Sequence, residues 1–304
     1  MLSRNLDRYV EQKRALGYKF HTQSVQLRLF VTFAEKHGDR HVRCSRVVAW
    51  ASLAPSLRHR RNRVLLVRRF ALALRADDPR HECPNADVFG KDHAPRRRPY
   101  IYSEAEIRRL LRAATAVRPG ERFTSATLKT LFGLIAATGM RVSEALALRL
   151  EDLTPDGLLI RETKFFKSRL LPLHDTVREA LNRYLVARRK VPARERSIFV
   201  STGGTALPYW RAHTDFRRMI DFAGLRGAND GRDPRIHDLR HTFAVRSLES
   251  CCRDRPGIGS HMVALSTYLG HTCVTHTYWY LHSTPLLLKQ IAEAGEALHT
   301  GAGS

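Results

Sequence analysis

The spacing of apolar residues in positions 1–76 predicts helices only. Leu6, Tyr9 and Val10 begin one apolar stripe with the three- and four-residue spacing that marks one face of a helix. Three further segments show similar stripes: VQLRLFVTFAEKHG, which ends at Gly38, SRVVAWASL and RRNRVLLVRRFALALR. The region is therefore expected to form a small helical bundle.

The fourth segment combines an apolar face with a basic one. We expect Leu65, Leu66, Phe70, Leu72 and Leu74 to pack inward. The basic side chains on or just before this segment are Arg58, Arg60, Arg61, Arg63, Arg68 and Arg69. Because almost no acidic residues accompany them, contact with DNA phosphates is the favoured interpretation, and a solvated basic face is the alternative.

The periodicity stops between Asp77 and Tyr100, where prolines recur at positions 79, 84, 95 and 99. Such composition is typical of a linker. We place the first domain at 1–97, with a basic linker over 77–97, and the second at 98–304. Arg96, Arg97 and Arg98 close this stretch and are expected to extend the DNA-binding surface.

The second region reads as mainly helical with a small β element. Ser103 and Glu106 fit a capping box that opens a helix, LKTLFGLIAATG ends a second helix at Gly139, and a short helix follows from Arg141. GLLIRE and RLLPL predict a β-hairpin around Thr163–Ser168. After Asp175 helices are expected, apart from SIFVSTGG and the loop at 225–234, with an amphipathic helix at about 284–298. The predicted fold class is therefore mostly α in two domains: a helical bundle, then an α+β domain.

The charge of the chain points to a polyanionic partner. The 304 residues carry 52 Lys and Arg against 29 Asp and Glu, a formal net charge of +23. Residues 1–100 hold 22 basic and 9 acidic side chains, and residues 101–304 hold 30 and 20. Both regions share the excess, which favours an extended nucleic-acid-binding surface over a basic tail.

Other classes of protein are disfavoured. The N-terminal residues lack the apolar core of a signal peptide, and the longest low-charge stretch is too short to span a bilayer, so we expect a cytoplasmic or nucleoid-associated protein. Five cysteines without C-x-x-C spacing predict neither a disulfide framework nor a zinc site. A metal site that joins His81 and Cys83 to the Cys251-Cys252 pair is the remaining alternative, and we expect no metal and no cofactor.

One motif gains meaning only from its neighbours. HDLR places His237 and Arg240 on one helical face, but H-x-x-R also occurs at His37 and at His93. The fixed order is more specific. TGMRVSE contains Arg141 and Glu144, Lys164 lies in the predicted hairpin, HDLRH follows, LGH ends at His271, and Tyr280 lies nine residues later.

This series resembles the catalytic set of the tyrosine recombinase, or phage integrase, family over residues 101–283. The helical bundle before it is similar to the family's core-binding domain. The resemblance implies a site-specific recombinase that acts on double-stranded DNA without ATP or metal. Its catalytic residues would be Arg141, Lys164, His237, Arg240, His271 and Tyr280, supported by Glu144.

The resemblance also implies a role for each residue. Tyr280 would attack the scissile phosphate and leave a 3′-phosphotyrosyl link, and Arg141 and Arg240 would stabilise the extra negative charge. His237 would accept the tyrosine proton or bind the phosphate, and His271 would donate a hydrogen bond. Lys164 is favoured over Lys167 as the acid for the leaving 5′-oxygen. Glu144 would orient Arg141 or a histidine.

Two tyrosines compete for the role of nucleophile in HTYWYLH. The family interval from His271 selects Tyr280, and Tyr278 lies on the other face of a helix, where packing or DNA-backbone contact is expected. His276 and His282 are interpreted as residues that support the local structure rather than as catalysts.

Two other functions remain open: a DNA-binding relative without catalysis, and a type IB topoisomerase-like enzyme that relaxes DNA. We favour recombination, with a tetramer on DNA of this chain or related recombinases. The terminal helix would dock on a neighbouring subunit, or else fold back on its own domain. The short N-terminal region favours a recombinase of a simple mobile element, and integration, excision, resolution and transposition all stay open as its reaction.

Overall fold

A computed structural model of the protein describes residues 2–90, 97–161, 168–192, 195–251 and 258–270. The chain divides into two compact units, Met1–Arg96 and Arg97–Ser304. Each unit has a hydrophobic core of its own.

The N-terminal unit is helical, as its apolar periodicity predicts. Its four helices are α1 (Leu2–Ala15), α2 (His21–Lys36), α3 (Cys44–Ser52) and α4 (Leu57–Arg75). The stripe of Leu6, Tyr9 and Val10 is buried. The rings of Phe30 of α2 and Trp50 of α3 are both buried in this core and make an edge-to-face contact, with centroids 5.4 Å apart.

The buried face of α4 agrees only in part with the expected one, since Phe70 and Leu74 are buried as predicted. Val64, Val67, Phe70, Ala71 and Leu74 are buried, because these positions follow the helical period and share one face. Leu65 and Leu66 are only partly buried, and Leu72 is 49% exposed. Leu66 still packs against the core, but the prediction that Leu72 packs inward was wrong, because its position in the helical period turns its side chain away from the core.

Residues 77–90, within the segment predicted to be a linker, pack against the bundle. The backbone N–H of Val42 donates to Nδ1 of the buried His81 at 3.1 Å, and Glu82 N–H donates to Val42 O at 2.9 Å. The Glu82 carboxylate accepts from Cys44 N–H and from the guanidinium of Arg43. Polar contacts to residues 42–44, distant in sequence, thus hold a segment that has no apolar periodicity.

The C-terminal unit is α+β and mostly helical, in agreement with the predicted class. Its helices are α5 (Glu104–Val117), α6 (Arg122–Thr138), α7 (Val142–Ala147), α8 (Asp175–Arg189), α9 (Tyr209–Phe222), α10 (Ile236–Cys251) and α11 (Ile258–Leu269). A 3₁₀ turn, Leu150–Asp152, precedes the sheet. The predicted capping box is present at α5, where Ser103 and Glu106 each accept the other's backbone N–H.

The sheet of this unit has three short antiparallel strands in the order β1 (Leu153–Thr154), β2 (Gly157–Ile160) and β3 (Arg169–Leu171). The predicted pairing of β2 with β3 is confirmed, with Leu158 opposite Leu171 and Ile160 opposite Arg169. The sequence did not predict β1, which has only two residues. None of the helices in the described ranges has both the length and the apolar composition to cross a membrane.

Candidate active site

Arg141 is positioned by the end of one helix and the start of the next. Helix α6 ends at Thr138, and Gly139 adopts a left-handed conformation with φ of +62°. Arg141 then caps α7, and its backbone N–H donates to Oε2 of Glu144 at 3.0 Å. Its side chain also binds Glu144, with Nη1 2.7 Å from Oε1. Glu144 therefore holds both the backbone and the guanidinium of Arg141.

Helix α10 carries His237 and Arg240, the two residues of the HDLR motif. The buried carboxylate of Asp238 accepts from the backbone N–H of Arg235 at 2.8 Å, which stabilises the first turn of the helix. His237 is exposed, whereas Arg240 is only 1% exposed. The guanidinium of Arg240 donates to Gly139 O and to Leu269 O, both at 2.7 Å.

Three arginines converge on the C-terminal end of α11. The carbonyl oxygens of three consecutive residues, at positions 268–270, each accept from a different guanidinium. Arg169 Nε lies 2.9 Å from Tyr268 O, Arg240 Nη2 lies 2.7 Å from Leu269 O, and Arg141 Nη2 lies 3.0 Å from Gly270 O. The last carbonyls of a helix lack partners within the helix and lie at the negative end of its dipole, so cations stabilise them. The arrangement fixes the chain immediately before His271.

Arg169 is a member of this cluster that the sequence interpretation missed. Its guanidinium forms a bidentate ion pair with Glu144: Nη1 lies 3.2 Å from Oε1, and Nη2 lies 2.7 Å from Oε2. A signal was present in the strand pattern. Side chains two residues apart on a strand share a face, so Arg169 lies on the face of the buried Leu171.

The electrostatics of Glu144 follow from these partners. Burial alone would raise the pKa of this carboxyl, but hydrogen bonds from Arg169 and from the backbone and side chain of Arg141 outweigh it and lower the pKa. Glu144 is therefore ionised at neutral pH. It lies between two positive charges with only 8% of its side chain exposed.

His237 is held in its neutral form. Part of the His237 side chain is accessible to solvent, but neighbouring protein atoms exclude water from the rest of it. This desolvation is the main cause that lowers the pKa of His237 to about 4, and the positive charge of Arg240 is the second. Arg235 and Arg141 act in the same direction, while Asp238 opposes them. The ring makes an edge-to-face contact with the ring of His241, with centroids 4.5 Å apart. A neutral imidazole near two arginines is suited to accept a proton.

The structure thus brings together Arg141, Glu144, His237 and Arg240 of the predicted set. The other predicted catalytic residues lie outside the described residues, together with the competing candidates: Lys164, Lys167, His271, Tyr278 and Tyr280. The predicted terminal helix and Arg96 also lie outside them. Across the part of the chain that the structure describes, no group of three or more His, Cys, Asp or Glu side chains is arranged to hold a metal ion.

The predicted DNA-binding arginines of α4 differ in their surroundings. Three of them donate to backbone carbonyl groups: Arg60 to Ala54 O, Arg63 to Trp50 O and Arg68 to Pro84 O. Arg61 lies 3.8 Å from the carboxylate of Asp87. Arg58 and Arg69 are exposed. In the C-terminal unit, Arg97 donates to Asp233 O at 2.6 Å and Arg98 is exposed.

Comparison with known proteins identifies the family. Residues 101–286 match the model of the phage integrase family. The chain is 37% identical over 297 residues to y4rB, a candidate integrase/recombinase of Sinorhizobium fredii, and the match covers 93% of each protein. It is 32% identical over 246 residues to the tyrosine recombinase XerD of Caulobacter vibrioides, covering 79% of this chain and 74% of that one.

The fold is similar to that of solved tyrosine recombinases. The structure of the Tn1549 transposon integrase in complex with transposon right-end DNA superimposes with a TM-score of 0.67. The match covers 97% of this chain and 99% of the other at 17% sequence identity. The chain belongs to the phage integrase family, as its motifs indicated, and it is an enzyme of the tyrosine-type site-specific recombinase class.

Proposed function

We propose that this enzyme cleaves and rejoins double-stranded DNA through a 3′-phosphotyrosyl intermediate on Tyr280. One observation carries the proposal: Arg240 and Arg141 donate to the carbonyl oxygens of Leu269 and Gly270, the first two residues of LGH, and both arginines act electrostatically on the neutral ring of His237. Positive charge beside a proton acceptor is what an attack by a phenol on a phosphodiester requires.

The two arginines would act on the phosphate in different ways. Arg141 keeps 33% of its side chain exposed and uses two of the five N–H groups of its guanidinium in the contacts described above. It is therefore suited to bind a non-bridging oxygen directly. Arg240 is buried and would contribute positive charge at close range, as it does towards His237.

His237 would take the proton of the attacking tyrosine. The imidazole is neutral before DNA binds, so its accepting nitrogen needs no prior deprotonation. Lys164 would protonate the leaving 5′-oxygen and His271 would donate a hydrogen bond to the phosphate. Arginines supply the charge that a metal ion supplies in other phosphoryl-transfer enzymes, so the proposed reaction needs neither metal nor ATP.

The proposed substrate is double-stranded DNA bound by both units, and the proposed active assembly is a tetramer, because exchange between two duplexes breaks four strands. Strand rejoining by reversal of the same step would leave no net hydrolysis. A mobile element, with integration, excision, resolution or transposition as the outcome, is the proposed setting.

A suicide substrate tests this function. A duplex nicked just beyond the cleavage position loses a short fragment after attack, which traps the covalent intermediate. The wild-type enzyme should form an adduct that survives denaturant, Tyr280→Phe should form none, and Tyr278→Phe should form it. Absence of an adduct in the wild type, or an adduct in Tyr280→Phe, would contradict the proposal.

A further inference from the structure

Glu144 has more partners than it needs to orient one arginine. Its Oε1 accepts from Nη1 of Arg141 at 2.7 Å and from Nη1 of Arg169 at 3.2 Å. Its Oε2 accepts from the backbone N–H of Arg141 at 3.0 Å and from Nη2 of Arg169 at 2.7 Å. One carboxylate therefore binds two guanidinium groups.

The two arginines differ in exposure. The side chain of Arg169 is 12% exposed, and that of Arg141 is 33% exposed. Arg169 contacts both carboxylate oxygens with its side chain, whereas the guanidinium of Arg141 contacts only Oε1. The less exposed Arg169 thus pairs with the carboxylate of Glu144, whose side chain is 8% exposed. The remaining positive charge lies on Arg141, which solvent and a ligand can reach.

Without Arg169, the charges would balance differently. Glu144 and Arg141 alone would form a neutral ion pair, and a guanidinium held by an unshared carboxylate attracts a phosphate less strongly. A second cation on the same carboxylate removes this competition. The net charge of the three groups is then +1, the sign that a phosphodiester requires.

Arg169 also links other parts of the site. Its Nε donates to Tyr268 O at the end of α11, and Arg169 opens β3, the strand that follows the segment with Lys164. Gly270 leaves room for it, since a Cβ atom there would lie 2.8 Å from Nη1 of Arg169. One side chain therefore joins the hairpin, Glu144 and the segment that leads to His271.

We propose that Arg169 is a positioning residue of the recombination reaction: it neutralises Glu144 so that Arg141 keeps its positive charge for the scissile phosphate. The inference rests on the proposed function of Arg141 and extends it to a residue outside the predicted catalytic set. Arg169 would then have two roles: it neutralises the charge of Glu144, and it supports the end of α11.

A pair of variants separates these roles. Arg169→Met and the double variant Arg169→Met/Glu144→Gln both lose the contact to Tyr268 O, so they share any defect that arises from the lost support of α11. Only Arg169→Met leaves the carboxylate of Glu144 to Arg141 alone. We expect Arg169→Met to lower the single-turnover rate of adduct formation by about 100-fold, the scale of a misplaced catalytic group. The double variant should recover most of that loss.

Arg178 is a matched control, because it is another arginine of this unit whose guanidinium donates to backbone carbonyl groups. It donates to Thr154 O and Pro155 O at the turn between β1 and β2 and is not among the partners of Glu144. Arg178→Met should leave the cleavage rate unchanged. Thermal unfolding of all three variants shows whether they fold.

Affinity for DNA gives a readout that does not depend on cleavage. Arg169→Met should weaken binding of an intact site by about tenfold, the scale of one lost charged hydrogen bond, and the double variant should restore it. If Arg169→Met binds and cleaves like the wild type, or the double variant is as impaired as Arg169→Met, the inference is wrong. An absent wild-type adduct instead refutes the proposed function, and the binding arm still decides the role of Arg169.

Discussion

The guanidinium of Arg240 donates a 2.7 Å hydrogen bond to the backbone carbonyl oxygen of Gly139, 101 residues earlier in the chain. The contact joins α10 to the turn that presents Arg141. It depends on a close approach of the two segments, because a Cβ atom at position 139 would lie 2.4 Å from Cδ1 of Phe243 on α10. Glycine at 139 thus satisfies two demands, a left-handed backbone and the absence of a side chain.

Substitution Gly139→Ala should therefore destabilise the enzyme and abolish cleavage. The left-handed conformation costs a non-glycine residue roughly 1–3 kcal/mol, and the clash with Phe243 adds to that cost. We expect the free energy of unfolding to fall by about 2 kcal/mol or more, measured by denaturant titration, and adduct formation to be lost because the Arg240 contact is displaced.

Gly133, inside the helix that ends just before Gly139, provides the control. A Cβ atom there would meet only Leu111 Cδ1 at 3.7 Å and Cδ2 at 4.0 Å, which are ordinary contacts, and its backbone is helical. Gly133→Ala should increase stability by about 0.5–1 kcal/mol, because alanine loses less conformational entropy in a helix. Equal effects of the two substitutions would contradict the role assigned to Gly139.

The sequence predicted elements well where local rules determine the structure. The capping box of Ser103 and Glu106, the helix end at Gly139 and the β2–β3 pairing all follow from short patterns. The HDLR motif predicted that His237 and Arg240 share a helix but not their different exposure, since exposure depends on what packs against that helix.

Contacts between distant segments account for the rest. The strand pattern indicates which face of β3 carries Arg169, but its partners lie 25 positions before it and 99 positions after it, and no local pattern encodes those contacts. The same reason applies to residues 77–90, where Val42 and His81 pair across 39 positions. The wrong prediction for α4 has a different cause. Leu72 was assigned to the packing face because it is apolar, although the helical period places it on the exposed face.

Two arginines of α4 should respond differently to substitution. Arg69 is exposed, so Arg69→Gln should leave the free energy of unfolding unchanged and weaken DNA binding. If Arg69 neutralises one phosphate, the slope of log K against log salt should become less negative by about 1. Binding titrations at several salt concentrations measure this slope.

Arg63 is the comparison for that experiment. Its guanidinium lies 4.6 Å from the ring centroid of Trp50 and donates to Trp50 O at 3.0 Å. Arg63→Gln should therefore lower stability by about 1 kcal/mol through the lost cation–π contact and hydrogen bond. If the two variants change the salt slope equally without any difference in stability, the distinction between a packing and a phosphate-binding arginine on α4 is wrong.

His237 should titrate well below the usual range of histidine in the DNA-free enzyme. Its pKa is lowered from 6.5 to about 4, chiefly by desolvation and then by Arg240. Between these values the unfolded chain binds more protons than the folded one. The contribution of His237 to stability is therefore fully present above pH 6.5 and is lost as the pH falls towards 4.

Two measurements check this behaviour. The C–H resonances of the His237 ring should shift with a midpoint well below pH 6.5, assigned by their absence in His237→Gln. The difference in free energy of unfolding between wild type and His237→Gln should increase in favour of the wild type as pH rises from 4 to 6.5. Binding of a phosphodiester should move the midpoint upward, because a nearby negative charge favours the imidazolium. A midpoint at or above pH 6.5 in the free enzyme would contradict the lowered pKa of His237. A midpoint well above neutral pH would mean that His237 is largely protonated before DNA binds, and it would then be a phosphate ligand rather than the proton acceptor.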